Sequence, residues 1–218
     1  SFPTRRSSDL MEKNVIITIS RQFGSNGREI ARKLAEYLDI SYYNKQILEK
    51  IAVNMGVCAD FFKDQKQDEN GLFTIESKGL LGLRNITELS VNTQIYDMAS
   101  DFIQKISQRE DAVIVGRCAD YALEDNPYAV SVFIKASLDE RVQRIKRIYE
   151  LNDSKAADLI QKTDKRRASY YNYYSSKKWG EAKSYNLCID SGLVGIDGAI
   201  DMILKFIELK EKNMGKDI

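Results

Sequence analysis

Residues 15–38 read VIITISRQFGSNGREIARKLAEYL. Val15, Ile16, Ile17, Thr18 and Ile19 form a β-branched run bounded by polar residues, the pattern of a strand buried on both faces. Farther on, Ile30, Leu34, Tyr37 and Leu38 fall at i, i+4, i+7 and i+8, one side of a helix. Between them, SRQFGSNGRE at residues 20–29 carries two glycines and two arginines. Glycines let a backbone turn its N–H groups onto an anion, and a helix N-terminus adds partial positive charge. Arg21 and Arg28 are placed to neutralise phosphate oxygens. Arg21, Gly24, Ser25, Asn26, Gly27, Arg28 and Glu29 therefore make a candidate phosphate-binding turn. A plain strand-to-helix turn with a solvated Arg28 accounts for the same residues.

The turn departs from the full G-x-x-x-x-G-K-[ST] phosphate loop. Arg28 follows Gly27 where a lysine is expected, and Glu29 replaces the magnesium-binding hydroxyl. Arginine supplies charge without the compact contact of an ammonium. Glu29 could bind Mg²⁺ through its carboxylate, or simply favour the first helical turn.

Outward from this unit, strands alternate with helices. Short apolar runs at 40–43, 112–115, 130–135 and 187–189 read as further strands. Helical spacing recurs at 44–55, where Ile47, Leu48, Ile51 and Met55 share a side. It recurs again at 86–108 through Leu89, Ile95, Met98, Phe102 and Ile106. Ser137-Leu-Asp-Glu140 is a capping-box pattern opening a basic helix to Tyr149. A polar, tyrosine-rich helix spans 154–174, and Ile196, Ile200, Ile203, Leu204 and Ile207 stripe a terminal one. Residues 56–83 show weak periodicity with Gly71, Gly79 and Gly82, as in an exposed insertion. Alternation of this kind implies an α/β fold, a parallel sheet with helices on both faces. Ligands in such sheets bind beyond the carboxyl ends of the strands, where the polar motifs of this chain fall.

The 218 residues, 43% hydrophobic and 30% charged, suit one globular domain with a sizeable core. Net charge is +1, from 33 basic and 32 acidic residues, without the basic excess of nucleic-acid or anionic-membrane binders. There is no histidine, so chemistry must run on carboxylates, Lys/Arg, backbone amides and a liganded metal. Cys58, Cys118 and Cys188 lie far apart and read as small buried thiols. No apolar stretch approaches the roughly 20 residues of a membrane span. A cytoplasmic protein, monomeric or weakly homo-oligomeric and without nucleic-acid or membrane partners, is the expectation. SFPTRRSSDL at residues 1–10 resembles a translated sequencing adapter and is set aside from the fold, leaving one domain over 11–218. A disordered native arm is the other reading of that segment.

Several charged residues end strands. Gly116-Arg117 follows the third core strand, and a charge there has few structural reasons. Asn44-Lys45 ends the second, as a ligand contact or an ordinary helix cap. Arg141, Arg144 and Arg147 recur every three residues, a solvated basic stripe taken alone. Tyrosines 170, 171, 173 and 174 could stack on a base or pack a helix, and packing is the preferred reading. Asp190-Ser191 reads as a strand terminus.

ITISRQFGSNGREIARKLAEYL, VIVGRCADY, VFIKASLDERVQRI, TDKRRASYYNYYSSKKWG and LCIDS, in that order along the chain, resemble the cytidylate kinase-like family of P-loop proteins. That resemblance implies an NMP-kinase-like three-layer sandwich with a five-stranded parallel sheet. It also implies a nucleotide-monophosphate-binding insertion near 56–108 and a basic lid near 147–182. The implied activity is ATP- and Mg²⁺-dependent phosphoryl transfer to a nucleoside monophosphate, CMP or dCMP, with small nucleotides as partners. Other openings are a same-fold kinase for another small substrate and a nucleotide-binding regulatory module without turnover. Arg117 matches the arginine of the family's Gly-Arg-Asp, with Cys118 in place of the aspartate and Asp120 two residues on. Asn44 and Lys45 stand where the kinases carry Asp-Ser. With Arg117 and Asp120 they are the implied acceptor-binding residues. Arg141 and Arg144 fall at the start of the lid, and Asp164, Lys165, Arg166 and Arg167 on its return. Arg28, Arg144, Arg166 and Arg167 are the implied catalytic charges, and Glu29 the candidate metal ligand.

Overall fold

The computed structural model describes residues 14–44 and 84–214. Strand β1 (Ile16–Arg21) leads through the turn into helix α1 (Gly27–Leu38) and strand β2 (Ser41–Tyr43). Helix α2 (Arg84–Ser107), strand β3 (Ala112–Val115) and the short helix α3 (Ala119–Ala122) follow. Next come β4 (Ala129–Lys135), α4 (Leu138–Tyr149), α5 (Asp153–Tyr174), β5 (Leu187–Asp190) and α6 (Ser191–Met214). The expected helix at 44–55, the insertion at 56–83, the segment 1–10, Lys45 and Cys58 lie outside the described residues.

The five strands form one sheet in the order β2-β3-β1-β4-β5, and each pairing is parallel. β1 is central because its β-branched run has no polar face to offer water. Ile16, Ile17 and Ile19 are all fully buried. Ile17 and Ile19 pack with Ile30, Leu34 and Ile203 beneath α1 and α6. Ile16 packs on the other face with Ile103, Ile106 and Leu123 of the α2–α3 side. Each fully buried isoleucine contributes about 1.5–3 kcal/mol, so the two helical layers are held chiefly through this strand.

β1 runs two residues past the expected run, because its pairing with β4 continues from Ser20 opposite Phe133 to Arg21 opposite Ile134. Arg21 is thus fixed by the sheet and not by the turn. The capping box at Ser137 is present: its Oγ accepts from the Glu140 N–H at 3.3 Å, and its N–H donates to Glu140 Oε2 at 3.2 Å. Tyr37, expected inside with Leu34 and Leu38, is 38% exposed and sits at the edge of its stripe. α3 has no signal of its own in four residues, and α6 is broken at Gly195 (φ 70°, ψ −177°). Among the described residues no helix is long and apolar enough to cross a membrane.

Gly27 has no room for a side chain, since a Cβ there would stand 2.5 Å from the Cβ of Arg21. Gly27→Ala should cost about 1–3 kcal/mol through overpacking, read as a lower denaturant midpoint with unchanged slope. A stability equal to wild type would contradict this close packing of strand end on helix start.

Candidate active site

The turn between β1 and α1 is held from three sides. The Gln22 N–H donates to the Ile134 carbonyl at 2.9 Å, and the Ala136 N–H donates to Gln22 Oε1 at 3.1 Å. Ser25, 1% exposed, has its hydroxyl within 2.9 Å of the Gln22 carbonyl and 3.1 Å of that of Ile134. From the start of α6, Ser191 Oγ donates to the Ser25 carbonyl at 2.7 Å. Gly24 (φ 86°) and Asn26 (φ 59°) are left-handed, which lets the chain reverse within four residues before α1 begins. A Cβ on Gly24 would come within 3.0 Å of the Arg141 Cβ, so α4 can approach only a glycine there. The hydroxyl of Ser25, a candidate phosphate contact, is thus occupied with the Gln22 carbonyl of the turn and the Ile134 carbonyl of β4.

Around this turn the arginines converge. Arg21 lies with its Nη1 against Gly116, where a Cβ would be 2.6 Å away. Burial, then the Arg167 charge, hold the Arg21 guanidinium well below its usual range. Arg28 adds to that effect, while Tyr42 and Asp164 oppose it. Arg167 is lowered to about 10, first by burial and then by Arg166 and Arg28, with Asp164 opposing. Both stay charged at neutral pH. Arg167 Nη1 also donates to the Arg21 carbonyl at 2.9 Å, and its guanidinium stands 5.5 Å from the Phe23 ring centroid. Desolvated like charges beside a helix N-terminus make a positive local potential, which would be lowered by an anion.

Arg144 and Glu29 form an ion pair at 2.8 Å. This places the candidate metal ligand against a guanidinium. Among the described residues no group of three or more His, Cys, Asp or Glu side chains could hold a metal ion. With Ser25 turned inward and Glu29 paired, the described residues do not fit a magnesium site of their own. Arg28 and Arg166 are both exposed beside the turn.

A second cluster ends β3. Gly116, Arg117 and Cys118 have φ values of 77°, 59° and 53°, three consecutive left-handed residues of which two are not glycine. Such strain collects at functional sites. It carries the Arg117 guanidinium to 5.7 Å from the Tyr170 ring centroid on α5. Tyr170 also packs on Tyr174, which stacks on Tyr96 of α2 at 4.3 Å, so these tyrosines join helices across the strand ends. Asp120 is 7% exposed and accepts from the Tyr171 hydroxyl at 2.6 Å. Burial pushes the Asp120 carboxyl up, and that hydrogen bond partly offsets it. Cys118 is a buried free thiol, and burial and Asp120 push it up to about 12. Asn44 closes β2, two strands from β1. Asp190 ends β5, bound to Lys135 at 3.1 Å.

The structure therefore brings Arg21, Gly24, Ser25, Asn26, Gly27, Arg28 and Arg167 to one turn, with Arg144, Glu29 and Arg166 at its rim. Arg117 and Asp120 lie beyond the neighbouring strand. The pairing of two residues placed at the two ends of the lid was not visible in the sequence. Arg141 is 8% exposed and pairs with Asp164 at 2.6 Å, a buried tie that spacing alone shows as a solvated stripe. Asp164 also accepts from the Phe23 N–H of the turn at 2.7 Å.

The family model described as the cytidylate kinase-like family matches residues 16–193. The crystal structure of an uncharacterized protein from Eubacterium ventriosum ATCC 27560 is 31% identical, with a TM-score of 0.69, over 89% of this chain and 99% of that one. Shikimate kinase from Bacteroides thetaiotaomicron is 13% identical, with a TM-score of 0.50, over 89% of this chain and 98% of its own. At that identity it is a likeness of fold, the P-loop kinase fold. No curated protein matches the sequence.

The raised Asp120 carboxyl has a measurable consequence. The folded state resists ionising it, so stability from this group is full below the ordinary carboxylate value of about 3.9 and falls as pH rises through the raised one. Asp120→Asn keeps an acceptor for Tyr171 without the charge. Its melting temperature should gain on wild type progressively from pH 4 to pH 8. A constant difference across that range would contradict the burial effect.

Proposed function

The chain belongs to the cytidylate kinase-like family, and from that membership we propose that it transfers a phosphoryl group from ATP to a nucleoside monophosphate, CMP or dCMP. The observation that carries the proposal is the convergence of Arg21, Arg28 and Arg167 on a glycine-bearing turn at a helix N-terminus. In the proposed reaction the ATP phosphates rest on the turn and the first N–H groups of α1. The three guanidiniums, with Arg166 and Arg144 at the rim, neutralise charge on the transferring group. Phosphoryl transfer needs positioning and charge stabilisation more than covalent help, so a chain without histidine is suited to it. Magnesium accompanies ATP as its counter-ion, and no step is assigned to an ion held by the protein. The acceptor lies toward Arg117, with Asn44, Lys45 and Asp120 as its further proposed contacts. The proposed setting is the cytoplasm, with small nucleotides as partners.

A second reading has its own support. Cys118 stands where a carboxylate would read the edge of a base, and the Asp120 carboxylate is engaged by Tyr171. What the end of β3 offers an acceptor is the Arg117 charge, which favours recognition through an anionic group over recognition of a base. A kinase for another small anionic acceptor fits that chemistry.

ADP release from ATP, measured with CMP, dCMP, UMP and AMP, tests the proposal. A cytidylate should be the best acceptor. Arg28→Ala should lower kcat by about 100-fold, the scale of removing one charge-stabilising donor, and Arg117→Ala should raise the acceptor KM. ADP release with a phosphorylated non-nucleotide alone would favour the second reading. Full activity of both variants would contradict the site assignment.

A further inference from the structure

We infer that Asp164 is the positioning residue of the phosphate turn. The inference rests on the reading of that turn as the ATP site. Asp164 Oδ1 accepts from the Phe23 N–H at 2.7 Å, and its Oδ2 accepts from Arg141 Nη1 at 2.6 Å. The same Nη1 lies 3.4 Å from the Phe23 carbonyl, and Arg141 Nε donates to the Ala136 carbonyl at 3.2 Å. One carboxylate on α5 thereby joins the turn to α4, and both peptide groups that flank the Phe23 side chain have a partner on the α4–α5 hairpin.

The arrangement continues one helical turn along α5. Arg167, at i+3 from Asp164, shares its side of the helix and donates to the Arg21 carbonyl at 2.9 Å. Two contacts one turn apart set the register of α5 on the end of β1. That register is what brings the Arg167 guanidinium beside Arg21. It also engages the Phe23 N–H with the Asp164 carboxylate, which removes that donor from those the turn could offer a phosphate. Phe23 is further held between Arg167 and the Tyr149 ring, whose centroid is 6.1 Å from its own.

Asp164 does not itself meet phosphate, since a carboxylate would repel it. Among the described carboxylates, it is the one whose charge opposes burial at both Arg21 and Arg167. It holds the positive cluster together before an anion arrives and sets the orientation of the peptide leading into Gly24. A purely structural ion pair would need only the charge. Positioning needs the charge at the right distance from the Phe23 nitrogen.

Three variants of the full chain separate the two. Asp164→Ala loses both bonds, Asp164→Asn keeps an acceptor for Phe23, and Asp164→Glu keeps the charge but moves it by one methylene. ATP affinity by calorimetry and amide exchange of Phe23 by NMR are the readouts. Asp164→Ala should weaken ATP binding by about tenfold or more, the scale of a lost charged hydrogen bond, and should lose Phe23 protection. Asp164→Glu should weaken ATP binding despite its intact charge, and Asp164→Asn should restore part of what Ala loses. Wild-type ATP affinity in Asp164→Glu overturns the inference, a test that stands even where the alanine variant does not fold. Unchanged Phe23 protection in Asp164→Ala overturns it too. A wild-type chain that binds no ATP contradicts the ATP reading instead, and Phe23 exchange then decides on Asp164 as the holder of the turn.

Discussion

Arg21 and Arg167 share one end of the central strand, where burial withdraws the water that would otherwise screen them, and the exposed Arg28 adds its charge from the rim. Like charges in a desolvated corner repel, and a fold tolerates them only by fixing their neighbours. Much of the local geometry follows from that demand. Gly27 and Gly116 are small because the Arg21 side chain occupies the space beside them. Glu29 stands against Arg144, and Asp164 against Arg141, so that the rim of the cluster is compensated while its centre stays positive. An anion at the turn would relieve the remaining repulsion, which is the physical basis of the proposed phosphate site.

The end of β3, the proposed acceptor side, obeys a different constraint. There the three left-handed residues at the end of β3 are overdetermined by packing: Cys118 and Tyr171 are buried, and Tyr96, Tyr170 and Tyr174 close over them. The aromatic cluster joins α2 to α5 without a charge of its own. Arg117 is the group that gives this wall a sign. The two halves of the site thus divide the work, with the turn holding several guanidiniums near one another and the β3 end presenting one against an aromatic ring.

The sheet and its helices were legible because their signals are periodic. β-branched runs marked β1, β3 and β4, and the capping box located the start of α4 at Ser137. The turn itself was legible from Gly24 and Gly27, which the structure places between β1 and α1 with Arg21 and Arg28 beside them. What could not be seen were contacts made across long separations. Arg141 looked like one of three arginines on a solvated stripe, yet its partner Asp164 lies 23 residues on and buries it. Ser25 looked like a phosphate ligand because of its place in the turn, and only the neighbouring strand shows that its hydroxyl is engaged by carbonyls. Tyr37 kept the helical period but fell at the margin of the buried arc, where spacing cannot separate packing from exposure. The strain at Arg117 and Cys118 had no signal in residue type, since neither favours a left-handed backbone.

The central claim is that the turn binds a phosphate chain through its arginines. Calorimetric titration of the wild-type chain with ATP, repeated in the presence of inorganic triphosphate or of adenosine, tests it directly. The account predicts saturable ATP binding that triphosphate displaces and adenosine leaves nearly unchanged. Displacement by adenosine with no effect of triphosphate, or no ATP binding at all, would contradict it.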